Sequence, residues 1–154
     1  MSARATLADL GVTLPTPAAP AGSYVPAVRT GDLIFTAGQV PFVDGKLPAT
    51  GKVGGEVSAE DAKALARISA INALAAVAAL VDVDDIVRVV KVVGFVASAE
   101  GFTGQSGVVN GASDFFVQVF GDAGRHARSA VGMAELPLGS PVEVEIVVEV
   151  RPGA

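Results

Sequence analysis

The sequence predicts an α+β domain, a mixed β-sheet with two helices packed on one face, in the order β-β-α-β-α-β-β. Three observations predict it. Two stretches, 58–80 and 108–120, carry apolar residues at helical spacing. Between them Ile86–Ala97 (IVRVVKVVGFVA) is β-branched and apolar on both faces apart from Arg88 and Lys91, the pattern of a covered central strand. The final stretch alternates Val142, Val144, Ile146, Val148 and Val150 with Glu143, Glu145 and Glu149 on the opposite face. A sheet with one helix-covered face satisfies the layer rule, and 154 residues suffice for one domain with a sizeable core.

In chain order, residues 2–10 predict a short helix ending at Gly11, and the Pro/Ala-rich Leu14–Gly22 must run extended. Residues 1–22 read as an N-terminal extension and 23–151 as the domain. Tyr24–Val28 and Leu33–Thr36 read as strands joined across Arg29-Thr30-Gly31-Asp32. Ala37-Gly38-Gln39 ends the second strand, where Gly38 permits either a close backbone approach or a bulge. Pro41–Val57 is a loop with a small hairpin at Asp44-Gly45. Ser58, with Asp61 three residues later, forms the acidic version of a capping box and opens the main helix, which runs to about Leu80. Asp82–Asp85 is an acidic break. After the central strand, Glu100–Gly107 is a Gly-rich loop, and Val108–Phe120 is a helix with Phe115, Phe116, Val119 and Phe120 as its ridge. His126–Val150 then reads as strand, LPLGSP turn and strand.

Composition narrows the function. The chain is 51% apolar with a mean hydropathy of +0.54, carried mostly by Ala and Val. That surplus predicts apolar surface hidden in an oligomer, with a second copy of the sheet as the natural cover. A net charge of −5 argues against nucleic-acid binding through phosphates. With no cysteine and one histidine, thiolate and multi-histidine metal sites are excluded, and Asp82, Asp84 and Asp85 lack metal-loop spacing. The N-terminus has no secretory h-region, and the longest apolar stretch, Ile68–Val81, is too short to span a bilayer. A soluble cytoplasmic protein is expected.

The candidate chemistry lies near the C-terminus. Arg128, Ala130, Gly132 and Ala134 share one face of a strand, setting a guanidinium beside a floor of small side chains. The guanidinium either grips a small carboxylate or pairs structurally with Glu143 or Glu145. Glu143 is either a water-orienting carboxylate or one of three solvated glutamates on its strand face. Asn110 reads as the N-cap of the second helix. Tyr24, the only tyrosine, is either a lid over a ligand or an interface residue. His126 is either a proton shuttle or an exposed loop residue.

The block Ala127-Arg128-Ser129, followed fifteen positions after the arginine by Glu143 inside Val-Glu-Val, resembles the C-terminal signature of the RidA family. These are YjgF-like reactive-intermediate deaminases, formerly labelled L-PSP endoribonucleases. Thr36-Ala37-Gly38-Gln39-Val40-Pro41 and the Asn110 segment also match that family, in the right order. The resemblance implies a chorismate mutase-like, RidA-like fold and a homotrimer with clefts between subunits. It implies hydrolysis of small 2-imino or enamine acids to 2-keto acids and ammonia, with no metal or organic cofactor required. Arg128 would hold the substrate carboxylate and Glu143 would position water. Tyr24, Ala37, Gly38, Asn110 and Ala130 would line the site. Ala130 stands where many of these deaminases have cysteine, and Ala37 where serine is common. The alternative is a trimer that binds or senses small carboxylate metabolites without turnover.

Overall fold

The computed structural model describes residues 1–154. Strands β1 (Ala27–Thr30), β2 (Leu33–Thr36), β3 (Ile86–Ala97), β4 (Ala127–Met133) and β5 (Val142–Val150) form one sheet in the order β1-β2-β5-β3-β4. All neighbours are antiparallel except β3 and β4, which run parallel. Parallel strands need a crossover, here supplied by helix α3 (Gln105–Phe120). The remaining helices are α1 (Ala3–Asp9) and α2 (Ala59–Ala78). No helix is long and apolar enough to cross a membrane.

Alternation along β5 sets the core. Val142, Val144, Ile146, Val148 and Val150 are buried with Leu65, Leu74 and Val77 of α2 and Phe115 and Phe116 of α3. The Ser58 hydroxyl caps α2, accepting the Asp61 N–H at 3.0 Å. Small residues let the helices approach: a β-carbon on Gly111 of α3 would stand 1.9 Å from the Lys63 carbonyl oxygen of α2.

The opposite sheet face has no helix. By register it presents Val28, Phe35, Val147, Phe95 and Val131 among Glu143, Glu145 and Glu149. Val28, Phe35 and Val131 are exposed.

Several sequence-based expectations are corrected. The final two strands, read only as strand, turn and strand, are separated in the sheet by β3. The first strand begins at Ala27 rather than Tyr24 and takes in Arg29 and Thr30, so the turn shrinks to Gly31-Asp32. Helix α3 begins at Gln105 with Gly104 at its N-cap, so Asn110 lies inside the helix and caps nothing. The acidic break is a fastening point. Asp82 pairs with the Arg4 side chain, Asp84 accepts the Arg4 N–H at 2.9 Å, and Asp85 pairs with Arg151. Leu7 of α1 is thereby held in the core.

Candidate functional site

Glu143 is positioned by a break in the β2–β5 ladder. Phe35 pairs with Val147 and Gln39 with Val144, so Thr36, Ala37 and Gly38 face only Glu145 and Ile146. The extra residue is a bulge, which re-aims a segment without ending the sheet. The Thr36 hydroxyl repairs one lost rung by accepting the Ile146 N–H at 3.0 Å. Beyond the bulge, Gln39 and Val144 exchange hydrogen bonds of 2.8 and 3.0 Å. Gly38 is thereby brought onto the Glu143 side chain, where its missing β-carbon would stand 1.8 Å from Oε1.

This pair lies in a cavity of about 380 Å³ whose walls include Tyr24, Pro26, Phe42 and Leu138. The Tyr24 hydroxyl accepts the Ala21 N–H at 3.2 Å, folding the ring back onto the preceding segment. Asn72 of α2 supports the far wall, donating to the carbonyls of Val40 and Phe42 at 3.0 and 3.1 Å. Glu143 itself is half-buried and has no hydrogen-bond or ion-pair partner. Burial, and secondarily the neighbouring Glu145, push its carboxyl above the ordinary carboxylate value. A larger hollow of about 740 Å³ lies between α1 and the end of α2, but it is mainly apolar and its two charges, Arg4 and Asp82, are paired with each other.

Arg128 lies on β4 and turns toward α3. Nη1 donates to Asn110 Oδ1 at 2.8 Å and to Ser113 Oγ at 3.2 Å, and Nη2 donates to Ser106 Oγ at 2.7 Å. Positions 106, 110 and 113 form one stripe of a helix. Every acceptor is a neutral oxygen, and within the chain the guanidinium forms no ion pair with Glu143 or Glu145. Behind Ser113, His126 Nε2 lies 2.9 Å from the hydroxyl and Nδ1 lies 2.6 Å from the Gly124 carbonyl oxygen. Burial lowers the imidazole pKa, the Gly124 bond partly opposes this, and the Arg128 charge lowers it further.

The predicted residues therefore divide into two groups. Arg128 is level with Val92 of β3, which is level with Ile146, so Arg128 shares the helix-covered face. Glu143 is level with Phe95 on the open face. Tyr24, Gly38 and Glu143 meet in one cavity, and Ala37 sits on the bulge beside it. Asn110 joins Arg128, and Ala130, opposite Gly94, packs against the core in the same strand. Ser106 and Ser113 were not anticipated. Their spacing to Asn110 would have signalled them had the helix start been placed at Gln105. His126 is neither an exposed loop residue nor near Glu143's cavity. No group of three or more His, Cys, Asp or Glu side chains is arranged to hold a metal ion.

Comparison with known proteins adds sequence and structural relatives. The family described as Endoribonuclease L-PSP matches residues 15–150. Protein TCP17 of Trypanosoma cruzi is 45% identical over 149 residues, covering 96% of this chain and 93% of the relative. The crystal structure of a protein of unknown function from Agrobacterium tumefaciens is 43% identical, with a TM-score of 0.89 over 97% of this chain and 92% of that one. The crystal structure of E. coli TdcF with bound serine is 30% identical, with a TM-score of 0.63 over 90% of this chain and 95% of that one.

Proposed function

The chain belongs to the Endoribonuclease L-PSP family, the YjgF/RidA group, and from that premise we propose that it hydrolyses small 2-imino or enamine acids to 2-keto acids and ammonia. The observation that carries the reading is the Arg128 guanidinium, oriented by neutral oxygens and neutralised by none. Such a cation matches a ligand carboxylate. A relative crystallised with bound serine supports a small ligand that carries a carboxylate.

In the reaction, Arg128 holds the substrate carboxylate. An enamine is first protonated at carbon to its imine. Water adds to the imine carbon, guided by Glu143, which takes the water proton. That proton passes to the nitrogen of the resulting carbinolamine, whose hydroxyl then gives its own proton to Glu143 as the C–N bond breaks, so that the C=O of the 2-keto acid forms and ammonia leaves. A carboxyl that burial holds above its ordinary value gives and takes a proton more readily than a fully solvated one, which suits this two-way transfer. Gly38 and the backbone around Ala130 polarise the reacting groups, Tyr24 closes over them, and protonated imines are electrophilic without a cofactor. Orientation supplies most of the remaining acceleration.

Because Arg128 and Glu143 face opposite sides of one sheet, the site is composite. Arg128 of one copy meets Glu143 of a neighbour in a cleft of a homotrimer, whose inner surface buries the open sheet face. Ala37 and Ala130 bring no side-chain donor, which favours the second reading, a carboxylate-binding trimer without turnover. Ribonuclease chemistry fits poorly with a net charge of −5 and a lone histidine engaged with Gly124 and Ser113.

The test generates 2-imino acids with an amino-acid oxidase and lets the protein compete with a semicarbazide trap. Faster imine loss with wild type, and none with Arg128→Ala, is expected. No acceleration across several imino acids, together with thermal stabilisation by 2-keto acids, would favour the binding trimer.

A further inference from the structure

The hydrogen bonds that orient Arg128 continue to a residue remote from the reacting atoms. His126 Nδ1 lies 2.6 Å from the Gly124 carbonyl oxygen. A carbonyl has no proton to give, so Nδ1 carries the ring hydrogen. In the neutral ring Nε2 is then an acceptor, 2.9 Å from Ser113 Oγ. The hydroxyl has one hydrogen, and it is committed to His126. Its oxygen therefore meets Arg128 Nη1, 3.2 Å away, as an acceptor only.

From this chain we infer that His126 is a positioning residue: by fixing the direction of the Ser113 hydroxyl, it locks the Arg128 guanidinium in the orientation that receives a ligand carboxylate. The inference rests on the reading of Arg128 as the carboxylate anchor. Without an acceptor at Nε2 the hydroxyl rotates among staggered positions, one of which turns its hydrogen toward the guanidinium N–H. The imidazole is held in place beside it by the Gly124 carbonyl and by Phe116. Its ring stands edge-on to the buried Phe116, with centroids 6.1 Å apart and planes at 87°. Burial and the Arg128 charge both favour the neutral ring that this polarity requires.

His126 is the only histidine, so its ring nitrogens give a single set of NMR signals in the intact protein. The Nδ1–H tautomer is expected at neutral pH, and an Nε2–H tautomer overturns the inference. Binding of 2-oxobutanoate, read by titration, supplies the second arm. Ser113→Ala and His126→Ala should each weaken it about twofold to tenfold, the range for one hydrogen bond. The double variant should be no weaker than either single one, since both cut the same chain. His126→Gln, whose amide oxygen can accept from Ser113, should recover part of the loss. Losses that multiply in the double variant overturn the chain. If Arg128→Ala abolishes binding while Ser113→Ala and His126→Ala leave it unchanged, the positioning role alone falls. If Arg128→Ala binds as wild type does, the anchor reading falls and the inference with it.

Discussion

The Glu143 carboxylate occupies the space that a β-carbon on Gly38 would need, with Oε1 1.8 Å and Cδ 2.8 Å from that position. The two residues come from different strands and meet because the bulge at Thr36–Gly38 carries one more residue than β5 opposite it. The obstructing atoms are the end of a flexible side chain, so Gly38→Ala need not disturb the backbone. The glutamate would swing to another rotamer at a cost of about 1 kcal/mol. Gly38→Ala should therefore melt within a few degrees of wild type while losing imine hydrolysis as completely as Glu143→Gln. Full activity in a folded Gly38→Ala protein would separate the carboxylate's position from turnover.

Glu143 should also cost stability at neutral pH. Its carboxyl is raised above the ordinary value, chiefly by burial. The folded chain therefore holds this proton more tightly than the unfolded chain. The penalty is absent below the unfolded pKa, grows as pH rises through the folded one, and is complete above it. Glu143→Gln should stabilise the protein at pH 7 and lose that advantage near pH 4. The group is only half-buried, so solvent screening keeps the gain below about 1 kcal/mol. Thermal melts of both proteins at the two pH values measure it, and a larger gain at pH 4 would refute the burial explanation.

Much of this arrangement was legible in the sequence. The β5 alternation and the Ser58 cap were enough to place the core and its covered face, whereas the apolar run of β3 read as covered on both sides and leaves Val87 and Val90 exposed in the chain. Gly38 was readable as a close backbone approach or a bulge, and it is both; Arg128 and Glu143 were readable as candidate charged residues, and they lie on opposite faces of the sheet. Two things were not. Gly104 and Gly107 hid the first turn of α3, which displaced Asn110 to a false cap and concealed the stripe of Ser106, Asn110 and Ser113. The insertion of β3 between β4 and β5 is a long-range pairing that no local pattern encodes. Parallel strands joined through a helix are a strongly preferred unit, and applying that rule to β3, α3 and β4 would have placed Arg128 and Glu143 on different neighbours.

Gly94 and Gly107 test the seat of α3. A β-carbon on Gly94 of β3 would stand 2.4 and 2.5 Å from the two γ-carbons of Val109. Val109 is almost fully buried, and a β-branched residue in a helix has one strongly preferred rotamer, so it cannot turn aside. Gly94→Ala should cost about 1–3 kcal/mol as α3 shifts off the sheet. Gly107 has nothing within 4 Å of its absent β-carbon and lies inside α3. Gly107→Ala should stabilise by roughly 0.5–1 kcal/mol through helix propensity. Denaturant unfolding of the two variants should move in opposite directions, and equal losses would mean that the helix tolerates no change at either glycine.

Arg128→Lys separates charge from geometry. Four α3 oxygens receive the planar fork, Asn110 Oδ1 and Ser113 Oγ on one nitrogen and the Ser106 hydroxyl and carbonyl on the other. A lysine keeps the positive charge but presents it as a point on a flexible stem. It cannot satisfy Ser106 and Ser113 together while facing a bidentate carboxylate. The α3 oxygens are neutral, so losing their partner leaves no unpaired charge, and stability should change by less than about 1 kcal/mol. Affinity for 2-oxobutanoate should fall at least tenfold, the equivalent of about 1.4 kcal/mol. Titration of Arg128→Lys beside Arg128→Ala decides the matter. If lysine binds as wild type does, charge alone recruits the ligand and the oxygens on α3 serve only the fold. If lysine behaves like alanine, the planar orientation set by Ser106, Asn110 and Ser113 is what the site selects.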